Sequence, residues 1–527
     1  MADLNLLLLL LLLPLVAAGL VLLVPARWAR WVALAGTTAH LGTAAVCWLA
    51  ARAASFVPVA YQTWTLPLRA PWFGLDLGPL GRLQVDFWLG LDRLSAPLVL
   101  LTGIVGLIGV GAAWHLPPAR TDRPRGFFSL YLLLLAAVSG CFVAVDAVLF
   151  YVFFEVMLLP MYFLIGIWGG ARRELASVKF FIYTLLGSLL ILAVLVALFP
   201  VAHGYGLPSL TDFARHTPGQ WLSPQAGGVT TARLVAFGLL LAGFGIKLPV
   251  VPLHTWLPDA HVEAPTPISV VLAGLLLKVG AYGLLRFTFP LFPDAARALA
   301  PVVAGVGAVS ILYGALCALA QTDLKKLVAY SSVSHMGFVL LGFASLTPEG
   351  AGGAVYQLVS HGLISPLLFL LAGVLYDRTH SRQLAHFRGL AGPLPRFAAL
   401  LTVGFFAALG LPGFSGFIAE ILVLLGAWKA ALTTSLPLWT AIVPLAGLLV
   451  GAGYCLWTVQ RLLFGAYWTH PSLEVPALLP DLTPRERWLL GSLAALTLGL
   501  GLFPAVLLDG ISADATAWVT FVRDALR

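Results

Sequence analysis

The chain has 527 residues, of which 60% are hydrophobic and only 10% are charged. A soluble globular domain carries about 25% charged residues, so the composition excludes a soluble protein and predicts an integral membrane protein. The formal net charge of +8 does not indicate nucleic-acid binding, because the Lys and Arg residues of membrane proteins gather in cytoplasmic loops.

The apolar runs are continuous over about 20 residues, which predicts an all-α polytopic membrane protein rather than a barrel of shorter, alternating strands. About 14 membrane-spanning helices are predicted, at 3–24, 31–51, 88–114, 127–145, 147–168, 177–199, 231–253, 264–287, 299–320, 327–343, 353–376, 397–428, 438–463 and 487–508. No basic residue precedes the first run, so we expect a retained helix rather than a signal peptide. The mildly amphipathic tail, 509–527, fits a surface helix, a partner contact or an ordinary helical end.

Basic loops follow predicted helices one, three, five, nine, eleven and thirteen and indicate the orientation. They contain Arg27 and Arg30; Arg120, Arg123 and Arg125; Arg172 and Arg173; Lys325 and Lys326; Arg378, Arg382, Arg388 and Arg396; and Arg461, Arg485 and Arg487. The positive-inside rule places these loops in the cytoplasm and both termini outside a bacterial inner membrane. One further cytoplasmic loop is expected after helix seven, and it carries no Lys or Arg but His254, Asp259, His261 and Glu263.

Several ionisable residues lie inside predicted spans, where a charge is costly and marks an ion pathway more often than not. Six of them lie on six different helices: Glu155, Lys247, Lys278, His335, His361 and Glu420. Burial favours the neutral form of a lysine and a nearby carboxylate favours the charged form, so a lysine with a movable glutamate partner can be loaded and emptied. Histidine, with a pKa of about 6.5 in water, relays protons between such groups. The set therefore favours proton transfer.

Each of these residues also has a simpler interpretation. Glu155 and Lys247 fit a structural ion pair, Lys278 could extend its amine to the membrane surface, and a single membrane histidine is often only a packing residue. A scaffold has no reason to bear six such desolvation costs at once. Arg286, near the end of helix eight, is interpreted as an anchor that extends to the membrane surface.

Two predicted helices contain breaks next to these charges. Pro249 and Pro252 follow Lys247, and the stretch LPGFSG, 411–416, precedes Glu420. Proline removes a backbone donor and opens a helix, and such breaks in two halves of a transporter point to inverted repeats with ion sites at the breaks. The predicted domains are helices one to three (1–126), two inverted five-helix repeats (127–290 and 299–463), and the last helix with its tail (464–527).

The cysteines give no sign of a metal or disulfide site. They lie far apart in separate apolar runs, which predicts small buried side chains: Cys47, Cys141, Cys317 and Cys455.

Four segments resemble the antiporter-like membrane subunits of respiratory complex I, and among them the M type, called ND4 in mitochondria. They are FEVMLLPMYFLIGIWGG, KLPVVPLHTWLPDAHVEAPTPISVVLAGLLLKVGAYGLLRF, QTDLKKLVAYSSVSHMGF and LPGFSGFIAE. The resemblance is dense over residues 85–465. It implies 14 helices with a broken helix in each repeat, a Glu155–Lys247 pair, Lys278 as the central lysine, His335 and His361 as a relay, and Glu420 as the terminal acid. The resemblance is to the M type at this last position, because sister subunits and the multisubunit cation/proton antiporter subunits usually carry Lys there, whereas the M type carries Glu.

The resemblance implies a proton-pumping subunit of NADH:quinone oxidoreductase, next to L- and N-type subunits in the lipid bilayer. NADH, FMN, iron–sulfur clusters and quinone are then expected in partner subunits, because this chain shows no cofactor or metal motif. The alternatives are a subunit of a multisubunit Mrp-type cation/proton antiporter, the same subunit in a ferredoxin-dependent or hydrogenase-linked complex, and a structural scaffold.

Overall fold

The fold is described from a computed structural model. The structure describes residues 5–53, 64–76, 78, 82–115, 123–199, 204–216, 229–433, 435–473, 476 and 478–524. Arg120 of the second basic loop, residues 3–4 of the first predicted helix and 525–527 of the predicted tail lie outside these ranges.

The described chain is almost entirely helical. Its helices are α1 (Leu6–Leu23), α2 (Ala26–Ala53), α3 (Ala96–Ala112), α4 (Pro124–Val143), α5 (Ala147–Trp168), α6 (Arg173–Leu198), α7 (Leu207–His216), α8 (Thr231–Lys247), α9 (Trp256–Glu263), α10 (Thr266–Leu291), α11 (Pro293–Leu319), α12 (Leu324–Ala344), α13 (Pro348–Thr379), α14 (Pro395–Ala408), α15 (Ser415–Leu432), α16 (Trp439–Leu463), α17 (Pro484–Leu502) and α18 (Ala505–Asp524). Among the described residues, 12 helices are long and apolar enough to cross a membrane. The all-α polytopic prediction is confirmed, and the count of 14 spans and the inverted repeats stay predictions.

Burial divides the helices into a central group and an outer group. Helices α10 and α13 are buried along their whole apolar stretch and α12 along nearly all of its stretch. In α1, α2, α6 and α16, more than half of the corresponding residues are exposed or only partly buried. Since α10, α12 and α13 have protein on every side, their polar side chains are shielded from lipid. The central helices are therefore the place where ionisable residues in this fold can meet one another.

Both predicted helix breaks are present. Helix α8 ends at Lys247, two residues before Pro249, and the chain becomes helical again in α9. Helix α14 ends at Ala408, and α15 begins at Ser415. The predicted cytoplasmic loop after helix seven is wrong in part, because 256–263 forms the second half of this broken helix.

The predicted start of helix three at residue 88 is also wrong. Residues 82–91 form strand β2 (Arg82–Leu91), which pairs antiparallel with β1 (Thr65–Asp76), and helix α3 begins only at Ala96. The sequence VDFWLGL is apolar enough to resemble a helix, but its aromatic and β-branched residues suit a strand. A second, short ladder joins β3 (Phe387–Arg388) to β4 (Trp468–Thr469).

The C-terminal helix α18 packs onto the bundle. It contacts α13 and α11, and Trp518 is fully buried, with its indole Nε1 donating to the Leu285 carbonyl at 2.8 Å. Of the three interpretations of the tail, the structure favours an ordinary helical end. Of the cysteines, Cys47, Cys141 and Cys455 are buried as expected, and Cys317 is partly exposed.

Candidate functional site

Four of the six predicted residues lie in one row across four helices. The Nζ of Lys278 on α10 lies 2.7 Å from Nδ1 of His361 on α13. The rings of His361 and His335, on α12, have centroids 5.5 Å apart. Nε2 of His335 lies 3.8 Å from Oε1 of Glu420 on α15. The row is a set of neighbouring proton donors and acceptors inside the bundle. The two rings lie close together without a hydrogen bond between them, because Nδ1 of His361 faces Lys278 and its Nε2 has no hydrogen-bond partner among the described residues.

The local backbone of α10 positions Lys278. The residue lies between two π-helical segments, Leu272–Leu276 and Leu284–Thr288. A π-helical turn is wider than an α-helical one and releases backbone groups from the regular ladder, and such turns occur frequently at functional sites. The Nζ of Lys278 donates to the carbonyl of Ala273, inside the first of these segments. Lys278 is fully buried, so it cannot reach the membrane surface in this structure.

The break before α15 makes room for the Glu420 carboxylate. Gly410 has φ +72°, and a Cβ on it would lie 2.2 Å from Oε2 of Glu420. Glu420 is buried but lines a cleft of about 270 Å³ together with Leu409, Ile421 and Leu448. The carboxylate therefore ends the row beside an opening between α15 and α16.

Glu155 and Lys247 do not form the expected direct pair. Among the described residues, neither Nζ of Lys247 nor Oε1 of Glu155 has a hydrogen-bond partner. The Lys247 ammonium instead lies 5.3 Å from the ring centroids of both Phe154 and Phe180. Cation–π attraction offsets part of its desolvation cost. The structure thus places Lys247 at the break, as predicted, where it interacts electrostatically with Glu155 but does not form a hydrogen bond with it.

Arg286 does not have the role that the sequence predicts, that of an anchor at the membrane surface. Its side chain is fully buried, and its guanidinium donates to the carboxylate of Asp92, so it is no surface anchor. Asp92 follows β2 directly, and the hairpin brings it to the end of α10. Sequence reasoning could not have found this pair, because its members are separated by 194 positions.

His261 is a further buried ionisable residue, at a position where the sequence predicts a loop. It is fully buried on α9, its ring stacks on Phe369 with centroids 4.2 Å apart, and neither ring nitrogen has a hydrogen-bond partner among the described residues. Nearby, Glu263 and Lys325 line a cavity of about 130 Å³. In the sequence, Pro258 argues against a continuing helix near His261, but proline is tolerated in the first turn of a helix, which is where α9 places it.

A polytopic helical bundle with a buried row of lysine, histidines and a carboxylate belongs to the class of ion-translocating membrane proteins. The comparison with known families assigns it more closely. Residues 144–443 match the family described as "NADH:quinone oxidoreductase/Mrp antiporter, TM", and the chain belongs to this family.

Similar proteins include subunits of respiratory enzymes. The chain is 42% identical to NADH-quinone oxidoreductase subunit M of Rhodobacter capsulatus over 81% of both chains. It is 40% identical to NAD(P)H-quinone oxidoreductase chain 4 1 of a Synechococcus species, over 98% of this chain and 93% of that protein.

Two solved structures have the same fold. A chain of respiratory complex I from Thermus thermophilus matches with a TM-score of 0.81 and 32% identity, over 98% of this chain and 99% of that one. A chain of the Mrp complex from a Dietzia species also matches with a TM-score of 0.81, over 100% of both chains, but at 24% identity it shows the fold alone.

Proposed function

We propose that this chain is a proton-translocating membrane-arm subunit of an NADH:quinone oxidoreductase, driven by electron transfer in its partner subunits. The observation that carries this proposal is the row from Lys278 to Glu420. Its members come from four helices, and no scaffold function requires these costly groups to lie in contact inside a bundle. The identity with curated quinone oxidoreductase subunits supports the same assignment.

The contacts along the row support a proposed route for the proton. A charged Lys278 can donate to His361 Nδ1 over 2.7 Å, a normal hydrogen-bond length. His335 donates from Nε2 to the Ala408 carbonyl at 3.1 Å in the tautomer that protonates this nitrogen. The 3.8 Å from the same nitrogen to Glu420 exceeds a hydrogen bond, so transfer there requires a small ring rotation or a bridging water.

Glu420 then releases the proton toward the cleft between α15 and α16. Its carboxylate alternates between protonated and ionised forms, and the negative charge of the ionised form attracts the next proton from His335. Lys247 and Glu155 form the other end of the proposed pathway. We propose that the charge on Lys247 influences whether Lys278 is protonated. Lys247 lies at the helix break, and the backbone of this break packs against Gly280, two residues from Lys278 on α10.

The assembly around this chain is proposed from the same family membership. The L- and N-type subunits are the proposed neighbours in the membrane, and NADH, FMN, iron–sulfur clusters and quinone are proposed to bind to partner subunits. The basic loops support an orientation with both termini on the periplasmic side of a bacterial inner membrane. Charge moved across that membrane is worth about 2.3 kcal/mol per 100 mV, so redox energy must reach this chain from its partners.

The test uses the purified complex in liposomes. When NADH is added outside the liposomes, it reaches only the complexes whose NADH-binding subunits face outward. Quinone reduction by these complexes should acidify the liposome interior. We expect Lys247→Ala and Glu155→Ala to lower both activities sharply at unchanged assembly. Normal rates from both variants would remove the proton-channel role, and cation-gradient-driven proton exchange without any NADH-dependent activity would assign the chain to the antiporters.

A further inference from the structure

A large open cavity lies outside the proton pathway, between the end of α16 and the short β3–β4 ladder. It has a volume of about 770 Å³, within the range of ligand pockets in proteins. Two arginines, Arg388 and Arg461, line it, and no acidic residue contributes to its described lining. The cavity is therefore suited to an anion.

The rest of the lining is aromatic and exposed. Trp457, Phe464 and Trp468 line the same cavity, and each is at least 40% exposed. Trp and Arg at the end of a spanning helix mark the level of the lipid head groups. A small soluble anion gains nothing from contact with these apolar walls, whereas an acyl chain packs against them favourably.

The cavity is built rather than a chance gap. Arg388 and Trp468 are directly opposite each other in the ladder. The guanidinium of Arg461 lies 4.5 Å from the Trp457 ring centroid, which holds it at one side of the cavity. Gly389, with φ +67°, lets the two chain segments approach, since a Cβ there would lie 2.6 Å from backbone atoms of 465–467.

We propose that this cavity binds one anionic phospholipid, with Arg388 and Arg461 on its phosphodiester group and the three aromatic side chains against its acyl chains. Basic pockets at the ends of spanning helices recognise lipid head groups by this chemistry. Arginine suits a phosphate particularly well, because its planar group donates two parallel hydrogen bonds. The site lies apart from the row Lys278 to Glu420 and does not depend on the function proposed for that row.

The first experiment measures retained lipid. The intact complex is purified from native membranes as wild type, as the double variant Arg388→Gln/Arg461→Gln, and as the control Arg396→Gln. The control removes an exposed arginine at the start of α14, outside the cavity. Mass spectrometry of extracted lipid then counts phosphatidylglycerol and cardiolipin per complex. We expect the double variant to retain one anionic lipid roughly 30-fold more weakly, which corresponds to about 2 kcal/mol for two arginines, and the control to match wild type. Equal retention in all three would overturn the proposal.

A second experiment keeps the site testable if the double variant does not assemble. A photoreactive benzoylphenylalanine at Gln460, which also lines the cavity, is activated in the otherwise unchanged complex. A phospholipid adduct supports the proposal, and an adduct only with another subunit shows that protein fills the cavity and overturns it. Washing with excess inorganic phosphate before activation should leave the lipid adduct unchanged, and its complete loss would identify a site for free phosphate instead.

Discussion

Gly410 offers a direct way to move the terminal carboxylate of the pathway without changing any ionisable residue. A Cβ at this position would lie 2.2 Å from Oε2 of Glu420, whereas an ordinary van der Waals contact begins at 3.4 Å, so the carboxylate would have to retreat by about 1.2 Å. A misplacement of about 1 Å can lower the rate of a positioned chemical step roughly 100-fold. Gly410→Ala should therefore reduce NADH-driven proton pumping by about 10- to 100-fold.

Gly413 provides the matched control. It lies in the same loop and also has a positive φ, +100°, but a Cβ on it would meet no described atom within 4 Å. Both Ala variants carry the backbone cost of a positive φ, roughly 1–2 kcal/mol in the left-handed region and no less at the larger φ of Gly413. Their difference isolates the displacement of Glu420.

The assay is the rate of fluorescence quenching by a pH-sensitive dye in liposomes that contain the purified complex, normalised to the amount of this subunit. Gly413→Ala should retain most of the wild-type rate. Equal rates for the two variants would refute the reasoning that the loop holds Glu420 in place.

Three further predictions concern single side chains. His361→Gln should lower pumping at least about tenfold at normal assembly, because it removes the link between Lys278 and the His335 ring. The control His40→Gln changes a buried histidine that is hydrogen-bonded to a serine outside the row, and it should pump normally. Equal pumping rates in the two variants would contradict a relay role for His361. Lys247→Ala should lower quinone reduction together with pumping, measured by NADH oxidation, and a variant that pumps poorly while oxidising NADH at the full rate would show that the residue does not couple the two. Asp294→Asn breaks the buried, bidentate ion pair between Asp294 and Arg233 and should lower the free energy of unfolding by about 3–5 kcal/mol. Glu349→Gln removes the exposed pair of Glu349 with Lys429 and should cost about 1 kcal/mol or less. Similar shifts of the melting temperature in the two variants would contradict the difference in burial.

The hydropathy of the sequence and its isolated charges predict most of the helices and the four residues that lie together in the row. Long apolar runs predict helices reliably, because a spanning segment must satisfy its backbone internally. A charge inside such a run is equally visible in the sequence, and four of the six predicted residues lie in one row of neighbours. The two proline-containing breaks were visible for the same local reason.

Contacts between distant segments were not visible. The hairpin that precedes α3, the pair of Arg286 with Asp92, and the burial of His261 all depend on tertiary packing. Lys247 is a similar case. The sequence predicts that the Glu155 carboxylate is near its ammonium, but it does not predict that the rings of Phe154 and Phe180 lie beside it.

The central claim is that protons pass along the row that ends at Glu420. Glu420→Gln keeps the shape of this side chain and removes its titratable proton, so the measurement is NADH-driven pumping by the reconstituted Glu420→Gln complex at a confirmed normal subunit content. We predict that pumping is nearly abolished and that quinone reduction falls with it. Pumping at the wild-type rate would contradict the account.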